Sequence, residues 1–319
     1  MDRHELAAAM RTQRDWCRKL GSPFYFELLG HLADDVEAGG ICWEVIEPLA
    51  DAPARSLLPL RFLGGIHRLV LSGKLPDLAR HFPGGSEAAW VELTRALRQQ
   101  GDTIRESIPA RVQTNEVGRC SALLPGFQEI VRRTGLPLRL LEVGCSAGLN
   151  LRFDQVLDCG EVRVVERKGC DLHPIELDDD GRLTLLSFVW PDQTGRFEQL
   201  SRAIDIARRV PAVIEQADAI EWLSRELKNP VRRSATVVFH SIVTMYFSNA
   251  DRARMPELLA EAGSRASDDA PLAWLSMEQS ASPQEGRETD IELTIWPGGE
   301  RRTIARASFH GRNVEILAR

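Results

Sequence analysis

The stretch that most constrains the fold is 138–150. Leu138-Arg139-Leu140-Leu141-Glu142-Val143 reads as a short buried strand, and it opens directly into Gly144-Cys145-Ser146-Ala147-Gly148 and then Leu149-Asn150. A strand that feeds a glycine-spaced turn and a helix belongs in a parallel α/β sheet. It presents backbone N–H groups and the positive end of a helix dipole to a crevice at the strand's carboxyl end. A polar or anionic ligand is expected there.

The residues around this stretch divide the chain. From residue 1 to about 110, apolar residues recur at helical spacing and are broken at Gly21-Ser22-Pro23, Gly39-Gly40, Ala52-Pro53, Gly64-Gly65 and Pro83-Gly84-Gly85, which predicts several short helices. Ser86-Glu87 opens an amphipathic helix as its cap. A further helix is predicted over 115–133, closed by Thr134-Gly135. Beyond it, strand-like segments at 162–166, 212–215, 236–240 and 272–277 alternate with helix-like segments at 192–209, 219–227 and 252–262. Ile291-Glu292-Leu293-Thr294-Ile295, the turn Pro297-Gly298-Gly299-Glu300 and Thr303-Ile304-Ala305-Arg306-Ala307 predict a closing hairpin. The expected fold is α/β: a mostly parallel, Rossmann-like sheet of class I methyltransferase type over 111–319 with an antiparallel C-terminal hairpin. Residues 1–110 form a helical lid region.

Three templates compete for the turn. A dinucleotide fingerprint requires a third glycine where Leu149 stands, and fits poorly. A methyltransferase turn has an acid two residues before the first glycine and small residues two and four after it, places filled by Glu142, Gly144, Ser146 and Gly148 around Cys145. Small residues there let backbone approach the amino-acid end of S-adenosylmethionine. The third template is the nucleophile elbow G-x-S-x-G, matched literally, with Ser146 as nucleophile and His310 late in the chain as in an α/β-hydrolase triad. Against it, everything before Leu138 looks helical, with no earlier strands. A purely structural turn is the fourth possibility.

Acids later in the chain favour the cofactor. Glu166, at the end of the second predicted strand, or its neighbour Asp171, stands where a ribose-binding carboxylate is wanted. Asp218-Ala219 after the third strand resembles an adenine-side motif. The fourth strand ends in Phe239-His240-Ser241, so His240 is either a general base or a hydrogen-bonded core histidine, while Asn150, Ser241 and Tyr246 would orient the reacting group. No Asn/Asp-Pro-Pro-Tyr motif occurs, which argues against amino-methyltransferases acting on nucleic-acid bases.

Composition narrows the partners. The 319 residues carry a formal net charge of −6 with no basic run, so a nucleic-acid partner is not expected and a small molecule is. No apolar stretch is long enough to span a membrane and the first residues do not read as a secretory signal, so the cytoplasm is the expected location. Cys17, Cys42, Cys120, Cys145, Cys159 and Cys170 lack metal-ligand or disulfide spacing, as do the scattered histidines, and no metal is expected. Oligomeric state is not legible.

The strings Val112-Gln113-Thr114-Asn115-Glu116-Val117-Gly118-Arg119, 141–154, Ser187-Phe188-Val189-Trp190-Pro191-Asp192-Gln193 and Trp296-Pro297-Gly298-Gly299 resemble an uncharacterised bacterial methyltransferase-like family, a domain of unknown function. The resemblance implies the fold and S-adenosylmethionine as cofactor. The chain also looks similar to bacterial S-adenosylmethionine cyclases that make azetidine-2-carboxylate, in which the ligand's own amine displaces methylthioadenosine. The expectation is therefore an S-adenosylmethionine-dependent enzyme acting on a small molecule by methyl transfer, or acting on the ligand alone by cyclisation. A hydrolase and a non-catalytic S-adenosylmethionine binder stand behind these two. Phe24, Tyr25, Phe26, Trp43, Phe62 and Trp90 supply rings that would face a sulfonium if the helical region closes over it.

Overall fold

The structure, a computed structural model, describes residues 1–51 and 57–317, so the break expected at Ala52-Pro53 lies outside the described residues. The chain forms two compact units. The first comprises Met1–Thr114 and Asp178–Ser201, and the second Asn115–Leu177 and Arg202–Arg319. The helices are α1 (Arg3–Lys19), α2 (Pro23–Ala38), α3 (Ile41–Ile46), α4 (Leu58–Leu71), α5 (Pro76–Ala79), α6 (Ser86–Ser107), α7 (Arg119–Thr134), α8 (Asp179–Ser187), α9 (Thr194–Ala207), α10 (Ala219–Glu226) and α11 (Asn249–Gly263). Among the described residues no helix is long and apolar enough to cross a membrane.

The first unit is helical and buries Leu28, Leu29, Phe62, Ile66 and Leu93 in one core. Local chemistry sets its boundaries. Asp2 and Glu5 make a capping box at α1, Ser22 caps α2 with Pro23 at the first position, and Gly39 ends α2 in the left-handed conformation. Two expectations change. Gly64-Gly65 does not break a helix but lies inside α4, where the glycines serve close packing: a Cβ on Gly64 would stand 2.8 Å from the Phe188 ring and one on Gly65 would meet the backbone of Ser107 and Ile108 at 3.0 Å. Ser86 is not the cap of α6. The cap position belongs to Gly85, and the Ser86 hydroxyl donates to Glu27 instead.

The second unit holds a mixed eight-stranded sheet. Its strands are β1 (Leu138–Val143), β2 (Val164–Asp171), β3 (Val213–Gln216), β4 (Ala235–Ser241), β5 (Leu272–Gln284), β6 (Arg287–Trp296), β7 (Arg301–Ala307) and β8 (Glu315–Ile316), in the order β3-β2-β1-β4-β5-β6-β7-β8. The first five pair in parallel and β6, β7 and β8 are added antiparallel. Every residue of β1 is buried, the charged Arg139 and Glu142 included, so its four apolar residues do not alternate with exposed ones. The hairpin of β6 and β7 forms as predicted, but β5 runs on to Gln284 and turns directly into β6, so the antiparallel end is a meander rather than a single added pair. The helix predicted from Asn115 starts at Arg119.

Candidate functional site

β1 is the point where the strand order reverses. The chain leaves β1 toward β2 on one side, while β4 lies on the other. In open parallel sheets the crevice at the carboxyl ends of two such strands is where ligands bind. The turn after β1 and the loop after β4 therefore define the candidate site, and they touch. A Cβ built on Gly144 would lie 2.3 Å from Val243 Cγ2, and one on Gly148 would lie 2.5 Å from Ile214 Cδ1. Both glycines also have positive φ, 66° and 67°, so any side chain would be strained as well as crowded. Two residues with side chains share that left-handed conformation at the crevice: Ser146 (φ 53°) and Ile242 (φ 52°). For a β-branched residue this is a genuine outlier, and such strain persists where surrounding contacts over-determine the backbone.

Beneath the turn lies a cluster of buried polar groups. Glu142 is 2% exposed. Asn150 Nδ2 donates to its Oε1 at 3.4 Å, while Oε2 is buried with no hydrogen-bond partner. Burial pushes the Glu142 carboxyl up to about 8, so near neutral pH it holds its proton for much of the time. Cys120 Sγ donates to Asn150 Oδ1 at 3.2 Å, completing a thiol, amide and acid chain. Ser146 Oγ is likewise buried and unpartnered, and the Ser146 N–H donates to Asp171 Oδ2 at 2.9 Å. Asp171 Oδ1 accepts from the His173 N–H, so this carboxylate at the end of β2 fastens the turn after β1. Cys145 is fully buried and burial pushes its thiol well up, so it is a packing residue within the turn.

Three expectations about these residues are corrected. The helix after Gly148 is a seven-residue 3-10 stretch, Leu149–Gln155, kinked at Arg152. Its first N–H, on Leu149, is already taken by Asn115 Oδ1 at 2.9 Å, so a helix dipole is not the source of positive potential there. Instead the buried Arg152 guanidinium donates to the Gly148 carbonyl at 2.6 Å and to the Val210 carbonyl at 3.0 Å. Glu166 is not a strand-end acid. β2 begins at Val164 and continues to Asp171, and Glu166 pairs in register with Arg139 near the other end of β1, forming an ion pair with it at 2.9 Å. His240 is not poised as a base. Trp274 Nε1, which only donates, reaches His240 Nε2 at 3.0 Å, leaving Nδ1 to donate to Glu278 Oε1 at 2.7 Å, and the residue is 1% exposed. Both ring nitrogens are committed.

The hydrolase arrangement is not assembled. Ser146 Oγ has no histidine within hydrogen-bonding distance, and His310 Nδ1 lies 3.1 Å from Glu116 Oε2. Asp218 caps α10, its Oδ1 accepting from the N–H groups of Ile220 and Glu221, with Ala219 as first helical residue. Ser241 ends β4 and receives Arg119 Nη1 at its carbonyl, 3.2 Å, and at its hydroxyl, 3.5 Å. Tyr246, on the 3-10 turn Thr244–Tyr246, is 57% exposed beside the exposed Met245. The structure thus gathers Glu142, Gly144, Cys145, Ser146, Gly148, Asn150 and Asp171 in one place, fed by Ser241 and the loop to Tyr246 from β4.

Sequence reasoning missed Asn115, Arg119 and Glu278. Asn115 and Arg119 lie in the string 112–119, yet nothing in their spacing says that one caps Leu149 and the other reaches Ser241. Glu278 joins the site only through contacts across 34 to 38 residues.

This geometry defines a mixed α/β protein whose candidate site stands where the strand order reverses. The chain belongs to the family described as "Uncharacterized protein conserved in bacteria (DUF2332)", which matches residues 7–157 and 155–316. A comparison with curated proteins finds no match. Among solved structures, DesVI of Streptomyces venezuelae is a distant neighbour, 14% identical over 64% of this chain and 76% of its own, with a TM-score of 0.23.

Proposed function

We propose that the crevice between the turn after β1 and the loop after β4 binds S-adenosylmethionine, and that the chain is an S-adenosylmethionine-dependent enzyme that methylates a small molecule. The observation that carries this reading is the pair of buried, unpartnered polar atoms, Glu142 Oε2 and Ser146 Oγ, at a turn whose two glycines leave no room for a Cβ. Orphaned polar atoms in a protein interior cost free energy and call for a function. A ligand with an amine and a carboxylate matches that donor set.

In this reading Glu142 and the backbone of Gly144 to Gly148 hold the amino-acid end, with the nearby positive charge of Arg152 balancing a carboxylate. Asp171 stands at the end of β2 for the ribose diol, and Asp218 with Ala219 lines the adenine side beyond β3. The bound cofactor supplies an electrophilic methyl group on sulfur. The chain's own part is to orient it, to exclude water, and to place Ser241 and the Tyr246 phenol beside the acceptor. Asn150, bonded to both Glu142 and Cys120, fixes the acid rather than touching the acceptor. His240, with both nitrogens bonded, supports the loop.

Incubating the pure protein with S-adenosylmethionine tests the reaction. Methyl transfer predicts S-adenosylhomocysteine only when an acceptor is present. Methylthioadenosine released without any acceptor would overturn it in favour of cyclisation, and a fluorophosphonate adduct on Ser146 would overturn it in favour of hydrolysis.

A further inference from the structure

Glu278, on β5, lies outside the turn and the loop, yet it is tied to the site by four hydrogen bonds. Its Oε1 accepts from His240 Nδ1 at 2.7 Å and from the N–H groups of Val243 at 3.0 Å and Thr244 at 3.4 Å. Its Oε2 accepts from Thr244 Oγ1 at 2.8 Å. Two of the four donors are backbone groups of the loop that follows β4, and that loop contains Ile242 in its strained conformation. His240 is itself fixed from behind by the Trp274 indole. Val243, held by Glu278 at its backbone, presses its side chain onto the face of Gly144 where a Cβ would be. A continuous chain of contacts therefore runs from β5 through Val243 to the first glycine of the turn.

We propose that Glu278 is a positioning residue for the ligand turn: its carboxylate, oriented by His240, holds the 242–244 loop in a strained form that keeps Val243 against Gly144 and so fixes the geometry of Gly144 to Gly148. Strain of the kind seen at Ile242 needs a compensating anchor, and an ionised carboxylate accepting four hydrogen bonds is a strong one. Burial works to raise the Glu278 carboxyl, but the bonds from His240, Val243 and Thr244 outweigh it and hold the group below its ordinary range, in keeping with an anchor that stays charged. For affinity, the proposal rests on the S-adenosylmethionine reading. For the turn itself it does not.

Amide hydrogen exchange tests it on the full chain. The N–H groups of Cys145, Ser146 and Gly148 are bonded to the Cys170 carbonyl, Asp171 and the Cys145 carbonyl, so their exchange reports the order of the turn. In Glu278→Gln, exchange is expected to quicken at Val243 and Thr244 and also at Cys145, Ser146 and Gly148. Val243→Ala, which leaves Glu278 untouched, should quicken the same three turn amides and serves as the deciding variant if Glu278→Gln does not fold. S-adenosylmethionine affinity should fall roughly two- to thirtyfold in both variants. Quickening confined to the 242–244 loop, with the turn unchanged in both, overturns the proposal, as does wild-type affinity in both. A wild-type chain that fails to bind S-adenosylmethionine while the turn amides still respond overturns the functional reading and leaves the positioning role standing.

Discussion

At the scale of single residues, Glu142 gives the folded chain a pH dependence that can be measured. A carboxyl whose value is raised in the folded chain favours folding in its protonated form. The contribution of Glu142 is therefore fully present below the unfolded value of about 4.5 and is lost as the pH climbs toward about 8. Wild-type stability should fall through that window, by up to about 1.4 kcal/mol per pH unit from this group, and Glu142→Gln should remove that part of the slope. Urea unfolding at pH 5 and pH 8 checks it, and parallel profiles for the two proteins would refute it. Gly148→Ala should cost about 1–3 kcal/mol, since the new Cβ meets both a positive φ and Ile214. His240→Ala strands the Trp274 indole and leaves Glu278 short of a donor, at a cost of about 2–4 kcal/mol by the same measurement. Unchanged stability would contradict the structural role given to this histidine. Much of this residue-level site is legible in the sequence: Glu142, Gly144, Ser146 and Gly148 follow one another at fixed spacing, so their grouping is dictated by local chain geometry. The commitment of both His240 nitrogens is not legible, because its partners come from β5.

At the scale of elements, the sequence signals those whose burial is simple. β1 and β4 are buried almost throughout and are signalled by Leu140-Leu141 and Val237-Val238-Phe239, and the β6–β7 turn announces itself through Pro297-Gly298-Gly299. Periodicity places β2 too early because Arg167, Lys168 and Gly169 look unlike a strand. They remain in the ladder because the Lys168 ammonium meets Glu166 at 3.2 Å and Glu226 at 3.3 Å, Arg167 pairs with Asp154, and Gly169 packs against Cys145. That shift of strand end is what exchanges Glu166 for Asp171. The helix α2 offers a test within the first unit. Asp192 accepts from Ser22 Oγ at 2.7 Å and from the Phe24 N–H at 3.0 Å, so the start of α2 is held by a residue 170 positions away. Asp192→Ala should destabilise the helical unit by about 1–3 kcal/mol, measured by equilibrium unfolding, and an unchanged midpoint would remove that role.

At the scale of the whole molecule, the parallel order β3-β2-β1-β4-β5 puts the candidate site at the carboxyl ends of β1 and β4, where the strand order reverses. The helical unit takes in the distant stretch Asp178–Ser201 as well as the first 114 residues, an arrangement that periodicity along the chain does not reveal. The central claim is that the turn at the end of β1 holds S-adenosylmethionine, and isothermal titration of that compound into the wild-type chain and into folded Gly148→Val tests it most directly. One saturable site is expected in the wild type, lost or greatly weakened in the variant. No binding by the wild type, or equal binding by both, would contradict it.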